Sequence, residues 1–264
     1  MSAARPPENS AHPVAPVLPT LAPLGPGQTR HGTFVKIAAP SVIEVLALAG
    51  LDFVVLDAEH APFDRADIDR LVLAGVASGL PVLVRVPDAA AATLLSVLDM
   101  GAAGVVVPHV DDAEQARAIV ARCRYRGGVR GYSSSPRSAG YGALGMKRVL
   151  ANDGGVLVVC QIESPPAVAA AADIAAVEGV HALFVGRADL ALAMGFDDTR
   201  AAPVDQAVDD VLAAAERAGK DVAVAVGSMA ERDVFAARGA RWFVIGSDQS
   251  LLRQGGLSIA RVAR

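Results

Sequence analysis

The chain has 264 residues, of which 53% are hydrophobic, 4% aromatic and 20% charged, and its mean hydropathy is +0.40. Outside the amino-terminal stretch, the longest run free of Asp, Glu, Lys and Arg is the 14 residues 71–84, broken by glycines and Pro81. A spanning helix needs about 20 apolar residues, so a membrane protein is not expected, and the apolar excess argues against disorder of the main body.

A net charge of −4 and a pI near 5.7 imply no general affinity for nucleic acid. Two cysteines, Cys123 and Cys160, are too few for a disulfide framework, so a reducing, cytoplasmic setting is expected. Residues 1–30 hold seven of the 16 prolines and lack a continuous apolar signal region, so they read as a flexible, proline-rich tail. The remainder, 31–264, has no linker-like composition and reads as a single domain.

From Thr33 onward, short Val/Leu/Ile runs alternate with alanine-rich segments of helical length. Strands are expected at 33–38, 53–57, 81–86, 104–110, 155–163, 182–189, 221–227 and 242–246. Helices are expected at 40–50, 64–79, 89–101, 112–125, 164–177, 202–220 and 228–239, with 250–264 following the last strand. Several helical segments close on glycine, as at Gly50, Gly79, Gly101, Gly219 and Gly239. Continuous apolar runs mean strands covered on both faces. Eight such units in about 230 residues predict an α/β fold, a (β/α)8 TIM barrel. An open doubly wound sheet would want a glycine-rich loop after its first strand, and Ala38-Ala39-Pro40-Ser41 is not one.

Barrel enzymes work at the carboxyl ends of their strands, and there the polar residues gather. Strand 2 ends in Asp57-Ala58-Glu59-His60, strand 3 in Arg85, strand 4 in Pro108-His109, strand 5 in Gln161-Ile162-Glu163, strand 6 in Gly186-Arg187-Ala188-Asp189 and strand 8 in Gly246-Ser247-Asp248. Glu163 and Asp189 suit a hard divalent cation, although each could instead cap the helix that follows. His60, beside Asp57 and Glu59, has the surroundings of a general base, or is a loop histidine. His109 lines the pocket or fills the end of its strand. Arg85 would put a cation into the mouth for a carboxylate or an enolate oxygen, or pair with Asp57 or Glu59. The connection 126–152 is far above usual loop length; its glycines, serines and arginines suit a loop over an anionic ligand, or an ordinary surface excursion.

Taken in order, Asp57-Ala58-Glu59-His60-Ala61-Pro62, Val84-Arg85, Val129-Arg130-Gly131, Gln161-Ile162-Glu163, Gly186-Arg187-Ala188-Asp189-Leu190 and Gly246-Ser247-Asp248 resemble the HpcH/HpaI aldolases, the metal-dependent class II pyruvate aldolases. The resemblance spans about 32–252. It implies a carbon–carbon lyase that reversibly cleaves a 4-hydroxy-2-oxo acid to pyruvate, or a close analogue such as hydroxypyruvate, and an aldehyde. It implies a divalent cation (Mg²⁺, Mn²⁺ or Co²⁺) on Glu163 and Asp189, His60 as base with Asp57 beside it, and Arg85 on the pyruvate enolate. Gln161, Gly186 and Ala188 would line the substrate site, joined by Arg187, which stands where many members have proline, and by a serine of the 133–135 loop such as Ser134. A homo-oligomer is implied, a hexamer built as a trimer of dimers that exchange carboxyl-terminal helices. A CoA-ester lyase of the malyl-CoA or citramalyl-CoA type shares the barrel and the metal acids, but generally lacks the histidine at position 60. A Schiff-base route is disfavoured, since Lys36 and Lys147 are the only lysines between Thr33 and Asp189 and the metal acids would then be idle; Lys36 ends strand 1 and is a candidate secondary site residue.

Overall fold

The computed structural model describes residues 17–262. Eight parallel strands close into a barrel in chain order: β1 Arg30–Val35, β2 Phe53–Asp57, β3 Val82–Arg85, β4 Gly104–Val107, β5 Leu157–Ile162, β6 Ala182–Val185, β7 Asp221–Val226 and β8 Trp242–Ser247. β8 pairs back onto β1, so the expected (β/α)8 architecture is the one observed. The helices are α1 Pro40–Leu48, α2 Arg65–Ser78, α3 Ala91–Asp99, α4 Ala113–Cys123, α5 Met146–Ala151, α6 Pro165–Ala169, α7 Ala171–Ala176, α8 Arg187–Ala193, α9 Ala202–Arg217, α10 Met229–Ala237 and α11 Asp248–Val262. Among the described residues, none is long and apolar enough to cross a membrane.

The apolar runs become strands because both faces must be covered. β2, β3, β4 and β6 are buried at every position. Alternate side chains point inward and outward. Phe53, Val55, Leu83, Val106, Phe184 and Trp242 fill the barrel interior. Val54, Leu56, Val84, Val105 and Leu183 lie outside, under the helices. Helix starts are fixed locally: Asp64 and Asp67 form a reciprocal capping box on α2, and Asp112 caps α4 by accepting from the Gln115 N–H at 2.8 Å. Gly75 lets α2 approach the sheet, since a Cβ there would stand 2.3 Å from Val82 Cγ2 and 2.9 Å from the Leu80 carbonyl oxygen.

Besides shifts of a few residues at other ends, four differences from expectation bear on the two ends of the barrel. β1 runs over Arg30–Val35 rather than 33–38, which leaves Lys36 just past its end, at the mouth. β6 stops at Val185; Gly186 breaks it, and Arg187 to Asp189 form the first turn of α8 instead of prolonging the strand. The helix expected over 164–177 is two, α6 and α7, which meet at Ala170. The connection 126–152 carries a 3-10 turn, Arg137–Gly142, and the short helix α5.

That connection joins α4 to β5, so it lies at the amino-terminal ends of the strands, opposite the mouth. It is tied down there. Arg137 donates to Asp69 at 2.8 Å, Arg130 to Asp99 at 2.9 Å, and Asp153 accepts from the Tyr125 and Arg126 N–H groups. The loop therefore does not fold over the site of its own barrel. Of the expected tail, positions 1–16 lie outside the described residues, while 17–29 run against the same closed end. Leu21 and Leu24 pack on the interior cluster, and the Gly25 and Gln28 carbonyls accept from Arg241. His181 is part of this end too; its Nδ1 accepts from the Val158 N–H at 3.1 Å.

Candidate active site at the barrel mouth

Two side-chain clusters meet at the carboxyl ends of the strands. The first spans β1 to β3. Asp57, with no exposed surface, accepts from Arg85 Nε at 2.9 Å and Nη2 at 2.8 Å, and from Lys36 Nζ at 2.7 Å. Strand register makes this pairing: Asp57 stands opposite Arg85, and Val35 opposite Leu56, so Lys36, Asp57 and Arg85 lie level on adjacent strands. Burial pushes the Asp57 carboxyl up, but hydrogen bonds from Arg85 and Lys36 outweigh it and hold the group below its ordinary pKa. The Lys36 backbone is itself pinned: Asp248 at the head of α11 accepts from the N–H groups of Lys36 and Ile37. The rim residue Asp248 thus serves as an anchor. Phe34 lies beneath, its ring 4.6 Å from the Arg85 guanidinium and edge-on to Phe184.

The second cluster spans β4 to β6. Glu163 is buried and accepts at Oε1 from the His109 backbone N–H at 2.7 Å. The His109 ring Nδ1 approaches the same oxygen at 2.8 Å. His109 reaches this double contact from a left-handed backbone, φ 55°, unusual for a residue with a side chain. Glu163 Oε2 accepts from Gln161 Nε2. Gly186 closes the cradle. A Cβ at this position would stand 2.6 Å from Glu163 Oε2 and 3.0 Å from Gln161 Nε2, so only glycine leaves room for these groups.

Glu59 joins the two clusters. Its Oε2 is 3.4 Å from Arg85 Nε and 3.7 Å from His60 Nε2, and its Oε1 is 3.5 Å from His109 Nε2. Burial, opposed chiefly by Arg85, raises its pKa. Its Oε2 and the Oε1 of Gln161 are buried with no hydrogen-bond partner among the described residues. Two strong acceptors left open beside Glu163 are the chemistry a hard cation or a donor-rich ligand would satisfy.

His60, Arg85, Asp57, Glu163, Gln161 and Gly186 all stand at the mouth, but three expectations change. Asp57 meets His60 only at the backbone N–H, 3.2 Å away, and the carboxylate nearest the exposed imidazole is Glu59. The Arg187 side chain turns outward, donating to the Ala225 carbonyl and to Glu231 at 2.8 Å each and stacking on Phe235, so it adds no free cation to the mouth. Ser134 is exposed on the α4–β5 connection, at the other end of this barrel from Glu163. Asp189 sits half-buried in the first turn of α8, where its carboxylate has no ion pair or hydrogen bond among the described residues, and Ala188 is exposed beside it. The linking role of Glu59 was not legible from spacing, because β2 ends at Asp57 and Glu59 lies in the turn that follows.

Among the described residues no three His, Cys, Asp or Glu side chains converge as a metal site. A cation at Glu163 and Asp189 would therefore take its remaining ligands from water or substrate, the habit of Mg²⁺ and its relatives.

Residues 30–255 match the family model described as HpcH/HpaI aldolase/citrate lyase. A 5-keto-4-deoxy-D-glucarate aldolase of Klebsiella pneumoniae is 35% identical, with 90% of this chain and 94% of that protein covered. A 4-hydroxy-2-oxovalerate aldolase of Rhodococcus jostii is also 35% identical, with 91% of this chain and 94% of its own length covered. The crystal structure of an HpcH/HpaI aldolase/citrate lyase family protein from Burkholderia cenocepacia superposes with a TM-score of 0.84 at 32% identity, covering 90% of this chain and 96% of that one.

Proposed function

The chain belongs to the HpcH/HpaI aldolase/citrate lyase family, and from that premise we propose that it reversibly cleaves a 4-hydroxy-2-oxo acid to pyruvate, or to a close analogue such as hydroxypyruvate, and an aldehyde. The observation that carries this reading is the Glu163–Gln161–Gly186 cradle facing the Arg85–Asp57 pair across one barrel mouth. Glu163 and Asp189 would hold Mg²⁺, Mn²⁺ or Co²⁺, which when bound supplies Lewis-acid stabilisation of negative charge on the keto oxygen.

The chain's own groups divide the rest of the work. His60 takes the proton of the 4-hydroxyl as the C3–C4 bond breaks. The electron pair of that bond passes toward the keto oxygen, giving the pyruvate enolate, and the C4 oxygen becomes the aldehyde carbonyl. Glu59, the carboxylate beside the His60 ring, steadies the imidazolium that forms. Arg85 spends Nε and Nη2 on Asp57, which fixes the plane of the guanidinium and leaves Nη1 to donate to the enolate oxygen. A proton delivered to C3 then gives pyruvate. The carboxylate of the oxo acid lies over Gly186, against the free N–H groups of the first turn of α8 around Ala188, since the Gly186 N–H itself donates to the Ile162 carbonyl.

Assembly is part of the proposal. Residues 251–260 of α11 are exposed throughout, with Leu251, Leu252, Leu257 and Ile259 among them, and Val45, Leu48 and Val234 are left open on α1 and α10. Exposed apolar residues in that arrangement favour a homo-oligomer, and the form the family resemblance implies is a trimer of dimers that exchange α11.

Pyruvate release from 4-hydroxy-2-oxo acids, followed before and after removal and return of divalent cation, tests the activity. His60→Ala and Glu163→Gln are each expected to lower turnover by about 100-fold or more. Undiminished turnover in both variants would sink the role assignments.

A further inference from the structure

We propose that His109 is a positioning residue whose ring holds the Glu163 carboxylate in its cation-binding pose, and that the strained backbone at this position is kept for that purpose. This rests on the assignment of a divalent cation to Glu163 made above. Among the described residues, positive φ values fall on twelve glycines and on only two other residues, His109 and Tyr141. Glycine takes that conformation freely, whereas a side chain there costs stability. The conformation itself has a local cause. β4 ends at Val107, and the turn that follows aims the His109 N–H at Glu163 Oε1 while the Val110 N–H donates to the Gln161 carbonyl at 3.3 Å. A glycine at 109 would make both contacts without strain.

The ring therefore has a reason of its own, and packing does not supply it. The side chain is 68% exposed, so it buries little apolar surface. Its charged partners are two acids: Nδ1 lies 2.8 Å from Glu163 Oε1, and Nε2 lies 3.5 Å from Glu59 Oε1. The imidazole thus stands as a strut between two carboxylates that would otherwise repel each other across the mouth. On the far side, Gln161 Nε2 donates to Glu163 Oε2, and Gly186 leaves that oxygen its space. Glu163 is held from both sides, with Oε1 fixed on His109. A carboxylate already fixed when a cation arrives loses less freedom on binding it, so the strain at position 109 is exchanged for affinity.

The test separates the ring from the backbone with two variants, His109→Gly and His109→Ala, titrated with Mn²⁺ by calorimetry and melted without added cation. His109→Gly keeps the backbone N–H contact to Glu163 and removes the strain together with the ring. Both variants are expected to weaken Mn²⁺ binding about tenfold or more, the usual effect of losing a group that orients a metal ligand. The melting temperature of His109→Gly is expected at or above that of the wild-type protein, and that of His109→Ala below that of His109→Gly, since alanine keeps the strain without the ring. Mn²⁺ affinity within about twofold of the wild type in both variants would overturn the proposal. So would affinity lost only in His109→Ala, in step with its melting temperature, because that pattern belongs to a merely structural role. A wild-type protein that binds no Mn²⁺ would instead overturn the assignment of a cation to Glu163, and this proposal with it.

Discussion

Gly186 is defined by what it lacks. Its missing Cβ leaves the space in which Glu163 Oε2 and Gln161 Nε2 sit, and a methyl group there would overlap both. Gly186→Ala is therefore expected to lower cation affinity and turnover about tenfold or more while shifting the melting temperature little, because the nearest atoms that must give way are side-chain ends rather than backbone. Isothermal titration with Mn²⁺ alongside a thermal melt checks both halves. At the other end of the barrel, His181 answers to pH. Burial, reinforced by Arg124 and Lys220, lowers its pKa from 6.5 to about 4. The unfolded chain then binds a proton that the folded chain refuses. His181 is thus neutral at no cost above pH 6.5, and its contribution to stability falls as pH drops from 6.5 toward 4. Urea midpoints measured across that window should fall more steeply for the wild-type protein than for His181→Gln. At this scale the residue types of the site were legible because each ends an apolar strand. The direction of long side chains was not: Arg187 finds Glu231 and Phe235 by swinging outward, which no spacing rule encodes.

Elements were legible where burial alone decides them. A run such as Phe53-Val54-Val55-Leu56 has no polar face and can only be a covered strand. Boundaries were less so, because they depend on pairing partners. β1 begins at Arg30 because its neighbours are Trp242 on β8 and Phe53 on β2, and the start of the apolar run at Thr33 does not report that register. The break between β6 and α8 comes from the conformation at Gly186, φ −83° and ψ 75°, in a stretch whose composition suits either element. Close approach of elements is the complementary case. Replacing Gly75 by leucine forces α2 away from β3, where Val82 and the Leu80 carbonyl leave no room. A loss of about 1–3 kcal/mol or more is expected, as for overpacked cores, and chemical denaturation would measure it. An unchanged midpoint would show that α2 can lift without cost.

Across the whole molecule the two ends of the barrel have separate occupations. The mouth gathers the ionisable groups assigned to the chemistry, whereas those of the opposite end tie down chain segments. The opposite end is stoppered by residues 17–29 and by the connection 126–152, which sequence reading placed as a loose tail and as a candidate cover for the site. For the connection, the alternative reading of a surface excursion is the one observed; for residues 17–29, docking was hidden because proline- and glycine-rich segments have no periodicity to show which surface they will lie on, and Leu21 and Leu24 were too few to signal a docking face.

Asp248 gives the proposed assembly a consequence for chemistry. It is the first residue of the exposed helix α11 and also the clamp on the backbone of Lys36 and Ile37. A helix steadied by a neighbouring subunit would steady that clamp, and a helix set loose would slacken it. Catalysis then acquires a dependence on protein concentration. Light scattering should report dissociation on dilution or in Leu252→Asp, and under the same conditions turnover per subunit should fall. The quaternary structure, on this view, is a brace for the Lys36–Asp57–Arg85 cluster.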